Sequence, residues 1–116
     1  MNPVRYNLRI IRGDDFVGRY RFTTENHETG VRTPINLAGW SVEATLTEVY
    51  DAEDVSLIAT IEDAANGIVK VELPSETTIV LPKRNANWYL TLISPTNVRT
   101  TYMQGLVLML TPGEIP

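Results

Sequence analysis

Apolar and polar residues alternate with a period of two along most of this chain, and this alternation limits the fold more than any other feature. The pattern runs through residues 4–10, 16–22, 40–46, 55–61, 69–73, 88–92 and 98–103. Successive side chains of a strand point to opposite faces of a sheet, so the period predicts strands with one buried face. The chain also holds 14 Thr, 11 Val and 9 Ile, against 18 Leu and Ala together. Because β-branched residues pack well on a pleated surface, this excess supports an all-β fold.

Turn signals separate the runs at the short intervals typical of a β-sandwich or barrel. Asn66-Gly67 predicts a two-residue hairpin, and the proline-bracketed residues 74–82 have room for one helical turn capped by Ser75. We expect a polar loop at residues 23–34 and a β-bulge at Gln104-Gly105, where the alternation changes phase. The 116 residues fit a single domain, 1–116, with a core at about 4–110 and a short tail at 111–116.

Composition removes several classes of protein and site. The chain has no cysteine, which excludes disulfides and thiolate metal sites and fits a reducing compartment. One histidine, His27, leaves little room for zinc sites or imidazole catalysis, and a net charge of −4 argues against a general phosphate-binding surface. No run approaches the ~20 apolar residues of a membrane span, and the first residues do not resemble a signal peptide.

Short motifs that could suggest chemistry have simpler structural interpretations. Arg12-Gly13-Asp14 matches the tripeptide of integrin ligands, but its place between two alternating runs favours a turn. Acidic residues cluster in two loops, where they could bind Ca²⁺ or remain solvated: Asp51, Glu53, Asp54, Glu62 and Asp63. No carboxylate lies in an apolar stretch, and phosphate-binding and nucleophile-elbow motifs are missing. We therefore assign no catalytic, cofactor-binding or metal-binding residue, and we expect the chain not to be an enzyme.

Aromatic and outer-phase apolar residues are stronger candidates for binding. Most aromatic residues follow the apolar phase and are expected in the core: Phe16, Tyr20, Trp40 and Trp88. Three tyrosines, Tyr50, Tyr89 and Tyr102, could instead form an exposed platform for sugars or for a protein partner. Five isoleucine and valine residues fall on the nominally outer phase: Ile11, Val17, Ile58, Ile68 and Ile93. Together with the apolar residues 106–110, they predict either a face covered by a partner or a strand buried on both sides.

Charge is unevenly distributed along the sequence. Residues 1–34 have six arginines and four acidic residues, residues 35–81 have one lysine and nine acidic residues, and residues 82–116 have three basic residues and one acidic residue. The net charges are therefore +2, −8 and +2. This separation predicts either complementary faces that join neighbouring copies or an ordinary solvated surface.

The order of the turn motifs resembles a known family. The motifs are Arg12-Gly13-Asp14-Asp15-Phe16, Pro34-Ile35-Asn36-Leu37-Ala38-Gly39-Trp40, Asn66-Gly67, Trp88-Tyr89-Leu90 and Gly105-Leu106-Val107. Together they resemble the small immunoglobulin-like β-sandwich virion proteins of tailed bacteriophages, and are similar to the N-terminal domain of baseplate upper proteins. The resemblance covers about residues 9–110 and implies an antiparallel, immunoglobulin-like β-sandwich of seven to eight short strands.

The same resemblance implies a non-enzymatic structural component of a tailed-phage virion, made in the host bacterial cytoplasm and assembled in many copies. Tail, baseplate and neck adaptors fit, as does head decoration. Baseplate upper proteins usually continue into a region that holds receptor-binding subunits, whereas residues 111–116 end this chain; the adaptor role is therefore the expectation. The implied partners are other virion proteins and copies of the chain itself, without nucleic acid, membrane or cofactor.

We expect three segments to make these contacts: residues 1–9, the 23–34 loop and the tail after Leu110. Addition of a strand to an exposed edge is the expected mode of contact. The alternative function is a carbohydrate-binding β-sandwich module that recognises host surface glycans.

Overall fold

The computed structural model describes residues 4–25, 28–47, 54–81 and 85–113. Strands make up 61% of the described residues and there is almost no helix. The strands are β1 (Val4–Arg5), β2 (Leu8–Ile11), β3 (Phe16–Arg21), β4 (Thr23–Glu25), β5 (Arg32–Pro34), β6 (Ser41–Thr47), β7 (Val55–Asp63), β8 (Ile68–Leu73), β9 (Ala86–Ile93) and β10 (Arg99–Leu110). A single helical turn, α1 (Ser75–Thr78), connects β8 towards β9. The all-β prediction is confirmed.

The main sheet is mixed. Its order is β1-β10-β9-β6-β7-β8-β3, and β2 also pairs with β10. β1 and β2 run parallel to β10, whereas the pairs among the other strands of this sheet are antiparallel. The antiparallel immunoglobulin-like sandwich is therefore not confirmed. Alternation reports which face of a strand is buried, but not the neighbour or direction with which that strand pairs.

One long strand joins two halves of this sheet. Residues 55–57 of β7 pair with β6, and residues 58–63 pair with β8. One half therefore contains β1, β2, β10, β9 and β6, and the other contains β7, β8 and β3. The sheet curls until the halves face each other, as two ring contacts show: the Tyr20 and Trp88 centroids lie 5.9 Å apart, and those of Phe22 and Tyr102 lie 5.7 Å apart.

The core lies between the two curled halves. Its largest fully buried side chains are Ile10, Leu37, Leu46, Val69, Val71, Leu73, Leu81, Trp88, Leu90, Leu92 and Val107. Trp88 is 1% exposed, and its indole Nε1 donates a 2.7 Å hydrogen bond to the carbonyl oxygen of Tyr6. Phe16, Tyr20 and Trp40 are partly buried against this core. These positions confirm the aromatic core predicted from the apolar phase.

The Arg12-Gly13-Asp14 segment forms a turn that is held against α1. Gly13 has φ +93°, a conformation that favours glycine, and its amide donates to Thr78 Oγ1 at 3.0 Å. Thr78 is fully buried, and its hydroxyl donates to the Asp14 carbonyl at 2.8 Å. Arg12 Nε donates to the carbonyl oxygen of Leu81 at 2.7 Å. Packing onto α1 therefore accounts for this motif, as the turn interpretation predicted.

The helical turn is confirmed, but its predicted cap is wrong. Pro74 occupies the N-cap position, and Ser75 is the first helical residue. The amide of Ser75 instead donates to the carboxylate Oδ1 of Asp15, 60 residues earlier, at 2.7 Å. A distant side chain thus satisfies an amide that a local cap would otherwise bind.

Three predicted turns and loops differ in detail. The 23–34 loop contains the β4–β5 pair, although these strands are mostly exposed. Asn66-Gly67 does lie in the β7–β8 hairpin, but the connection is four residues long, 64–67. The register of this hairpin also shifts between Ile61 and Asp63. The irregularity in β10 lies between Thr101 and Met103, not at Gly105. Gly105 is instead a site of close approach, where a Cβ would collide with the carbonyl oxygen of Tyr6.

Across the described ranges, no helix is long and apolar enough to cross a membrane.

Candidate interaction surface

Two strand edges face each other across a gap, which we call the seam. β3 pairs only with β8, and β2 pairs only with β10; within the described residues no ladder joins β2 to β3. A groove of about 490 Å³ follows the seam and is lined by residues 6–9 on one side and 16–20 on the other. Six residues of β3 present an edge roughly 20 Å long. Unpaired backbone groups along such an edge are a template for another strand.

An aromatic cleft of about 500 Å³ adjoins one end of the seam. Four rings line it: Tyr6, Tyr20, Phe22 and Tyr102. Tyr6 and Tyr20 belong to opposite sides of the seam and meet edge to face, with centroids 5.4 Å apart. Tyr6 is 49% exposed, so the cleft opens to solvent through this ring. The Tyr6–Tyr20 contact closes the seam on the side of the core, while the backbone edges of β2 and β3 remain without a strand partner on their outer sides among the described residues.

Arginines give this cleft a positive rim, although the whole chain is acidic. Arg19, Arg21 and Arg32 line the cleft, and Glu25 is the one acidic residue among its lining residues. Arg19 Nε donates to both carboxylate oxygens of Glu62, at 2.9 and 3.1 Å. No ion pair joins Arg21 or Arg32 to another described residue. The cleft therefore has unneutralised positive charge beside exposed aromatic surface.

Burial also affects Tyr20, which lies at the end of the seam where the aromatic cleft begins. Desolvation raises the pKa of the Tyr20 hydroxyl to about 12, and the neighbouring Tyr6 contributes in the same direction. The hydroxyl thus stays protonated at neutral pH. It acts as a neutral packing group, with its ring between Tyr6 and Trp88.

The outward face of the β3–β8–β7 half carries two exposed apolar residues in one cross-strand row. Val17 pairs with Glu72, which pairs in turn with Ile58. Val17 is 47% exposed and Ile58 is 51% exposed. Glu72 lies between them and forms an ion pair with Lys70. The face thus ends in an apolar residue at both of its edges.

A second surface lies on the outward face of β6, β9 and β10. Tyr89 is opposite Thr45 on one side and Gln104 on the other, and Arg5 of β1 is opposite Gln104. A pocket of about 390 Å³ includes Tyr89 together with Arg5, Asn87 and Gln104. This combination of a half-exposed ring with amide and guanidinium groups can hold a polar ligand.

One ion pair flanks this second surface. Arg99 Nη2 donates to Glu43 Oε2 at 2.7 Å, and both side chains are more than half exposed. The hydrogen bond from Arg99 holds the pKa of the Glu43 carboxyl below its ordinary value. Solvent screening limits how much stability such an exposed pair provides.

The structure separates two of the three tyrosines that were predicted to form one platform. Tyr89 lies on the outward sheet face, whereas Tyr102 packs edge to face against Phe22 near the seam. Tyr50 lies outside the described residues, as does His27. Tyr102 therefore does not share an exposed face with Tyr89, whereas the part of Tyr50 in the predicted platform stays a prediction.

The other predicted surface residues have mixed outcomes. Ile11, Val17 and Ile58 are exposed, as their outer phase predicted, while Ile68 and Ile93 are half-buried. In the apolar run 106–110, Val107 and Met109 are buried but Leu106 is 42% exposed, so β10 is not covered on both sides along its whole length.

The predicted contact segments and acidic clusters are only partly described. Val4 and both strands of the 23–34 segment are exposed or nearly so. Residues 1–3 and 114–116 are outside the described residues, and so are Asp51 and Glu53. Among the described residues, no three His, Cys, Asp or Glu side chains converge as a metal site.

Sequence reasoning missed the arginine-lined cleft. Arg19 and Arg21 were visible as polar-phase residues of one strand, so their shared face was predictable. Arg32 joins the cleft because β5 pairs with β4, and the sequence pattern placed that residue in a loop. Only the β4–β5 pairing brings its side chain to the cleft.

No protein-family model matches the chain, and no curated protein matches it significantly. The function proposed below therefore rests on the strand edges and surface chemistry described above.

Proposed function

We propose that the chain is a non-enzymatic structural component of a tailed-phage virion, an adaptor of the tail, baseplate or neck or a head-decoration protein. The observation that best supports this role is the pair of unpaired strand edges at the seam, with exposed apolar and arginine side chains beside them. Strand addition and aromatic–arginine contacts are common ways to join protein chains. In a symmetric particle, many such contacts act together.

An immunoglobulin-like relationship is the finer structural part of the proposal. In that fold, strands A, B, E and D form one sheet and C, F and G the other. The order β3-β8-β7 matches B-E-D, and β6-β9-β10 matches C-F-G. There are two departures: β2 lies beside β10 and not beside β3, and residues 55–57 of β7 pair with β6, so that the two halves form one continuous sheet. We interpret the fold as an immunoglobulin-like sandwich whose first strand has joined the opposite half.

Mass spectrometry of purified phage particles from the producing host, with antibody labelling of the same particles, tests this function. We expect the chain at a fixed stoichiometry to the other structural proteins, with label at one position on each particle. Purified particles without the chain would refute the virion role.

Glycan binding is the second candidate, and the Tyr89 pocket is the observation that favours it. A sugar ring could stack on Tyr89 while Asn87, Gln104 and Arg5 bind its hydroxyl groups. A glycan array that includes host surface polysaccharides, probed with the protein and with Tyr89→Ala, tests this candidate. Binding that Tyr89→Ala abolishes would support it, and no binding by the unaltered protein would refute it.

A further inference from the structure

We propose that a second copy of this chain adds its β7 to the free edge of β3, so that the β7–β8–β3 half continues from copy to copy. This contact gives the free β3 edge a partner, and its setting in a multi-copy particle rests on the proposed function. The contact needs no other virion protein, so it can be measured with the purified chain in solution.

Both edges needed for this contact are free. β3 pairs with β8 on one side only, and residues 58–63 of β7 pair only with β8, because β6 pairs with residues 55–57. Within the described residues, no other strand pairs with either outer edge. β3 and β7 run in the same direction, since both are antiparallel to β8. A neighbouring copy in the same orientation therefore brings β7 beside β3 as a parallel pair.

The unequal width of the two halves determines the kind of assembly. The β7–β8–β3 half has three strands, whereas the opposite half has β10, β9 and β6 with β1 and β2 at its edge. When copies join edge to edge through their three-stranded halves, the wider opposite halves would collide if the copies were only translated. Each copy must therefore be rotated relative to the one before it. Because the contact uses two different edges, it is heterologous, and repeated rotation gives a ring or a helix.

The side chains on the two edges are complementary. When the cross-strand rows continue into the next copy, Ile58 of that copy lies beside Val17, and both residues are about half exposed in the isolated chain. Four residues further along both strands, Glu62 of the next copy lies beside Arg21. The carboxylate of Glu62 accepts from Arg19 within its own copy, and it retains lone pairs for a second guanidinium. The new contact thus pairs apolar with apolar and acidic with basic side chains.

Exposed arginines on an edge strand could alternatively keep copies apart, since charged side chains are a common protection against edge-to-edge pairing. If the arginines protect the edge, no contact forms between copies; if the edge binds β7, a contact forms. Because the chain has no cysteine, introduced cysteines are its only thiols, and disulfide formation between them reports this contact.

The first experiment is oxidative cross-linking of the double variant Val17→Cys/Ile58→Cys. Within one copy these positions are two strands apart, about 9.5 Å, which exceeds the roughly 7 Å limit between the Cα atoms of a disulfide. We expect a ladder of covalent multimers, because each copy links through both edges. Each single variant can form at most a dimer and serves as the control. A double variant that stays monomeric, or that forms no more than the dimers of the single variants, overturns the proposal.

The second experiment reverses charges and measures self-association by analytical ultracentrifugation. We expect Arg21→Glu and Glu62→Arg each to weaken association about tenfold or more, and an equal mixture of the two variants to restore it. Arg99→Glu and Glu43→Arg, in the exposed ion pair of the opposite half, are matched controls that should leave association unchanged. Circular dichroism and thermal melting exclude variants that fail to fold. Equal effects of the controls, or no recovery in the mixture, would refute the pairing of Arg21 with Glu62.

These results are separable from those on the proposed function. Chains that cross-link and reassociate as expected but are missing from phage particles would retain the β3–β7 contact and refute the virion role. Particles that contain the chain, together with a monomeric double-cysteine variant, would retain the virion role and refute the second copy as partner of β3.

Discussion

Replacing Thr78 with valine tests whether the Arg12-Gly13-Asp14 turn is anchored through a buried hydroxyl. Thr78 is 0% exposed, and its Oγ1 accepts from the Gly13 amide at 3.0 Å and donates to the Asp14 carbonyl at 2.8 Å. Valine has nearly the same shape, so packing is preserved while both hydrogen bonds to the turn are lost, together with the longer 3.2 Å bond from the hydroxyl to the Ser75 carbonyl. The variant therefore isolates the polar contribution of this site.

The expected loss follows from the two hydrogen bonds. Each contributes about 1 kcal/mol net, and a group left without a partner in a buried place adds to the cost. Gly13 is half-buried and Asp14 is exposed, so water can reach part of the site and limit that added cost. We expect a decrease in unfolding free energy of about 2–3 kcal/mol, which is a large share of the ~5–15 kcal/mol typical of a domain. The corresponding fall in Tm is roughly 8–12 °C for a chain of this size.

Urea unfolding followed by circular dichroism measures this loss, with Thr77→Val as the matched control. Thr77 is the preceding residue of α1 and is only half-buried. A shift in midpoint at unchanged denaturant slope is expected for Thr78→Val and a change below about 0.5 kcal/mol for Thr77→Val. Equal, small changes in both variants would show that the hydroxyl does not anchor the turn.

Three further predictions concern the seam and the outward sheet face. Gly105→Ala should destabilise the chain by about 2 kcal/mol or more, because its Cβ collides with the Tyr6 carbonyl, and limited proteolysis should cut the first strands sooner. Spectrophotometric titration should find one tyrosine that ionises near pH 12 and is lost in Tyr20→Phe. Since the folded pKa of Tyr20 exceeds the ordinary value of 10.0, stability should fall as pH rises from 10.0 to about 12, and Tyr20→Phe should reduce that slope. The pKa of Glu43 is lowered in the folded chain, so the stability that its carboxylate contributes is present above the unfolded pKa and is lost as pH falls through the folded pKa. Glu43→Gln should therefore lower the urea midpoint relative to the unaltered chain at neutral pH. This difference should vanish in acid or at high salt.

Strand existence and buried faces were predictable because alternation directly reports which side chains a pleated sheet hides. The runs around Ala44, Leu57, Val71 and Leu90 all became strands with these residues buried. Pairing was less predictable. β2 lies parallel to β10 almost a chain length away, and no local pattern distinguishes that neighbour from β3.

The candidate surface was harder to predict than the strands, because tertiary contacts determine which residues it brings together. The exposure of Val17 and Ile58 could be expected from their phase, but their position in one row follows from the register of both with Glu72. Likewise, Gly105 marked an irregularity in the pattern, and only the position of Tyr6 explains why a side chain does not fit there. Long-range register, which a single sequence does not encode in a readable period, determines which edges remain open.

The parallel pairing of β2 with β10 has a mechanical consequence. Leu8–Ile11 lies beside residues 107–110 in the same direction, so a pull that draws the first strand backwards and the last strand forwards slides them past each other along their axes. The backbone hydrogen bonds of this ladder would then bear the force together, whereas an antiparallel hairpin pulled at its open end separates one bond at a time. A chain held by its neighbours through these two strands would therefore resist tension in shear.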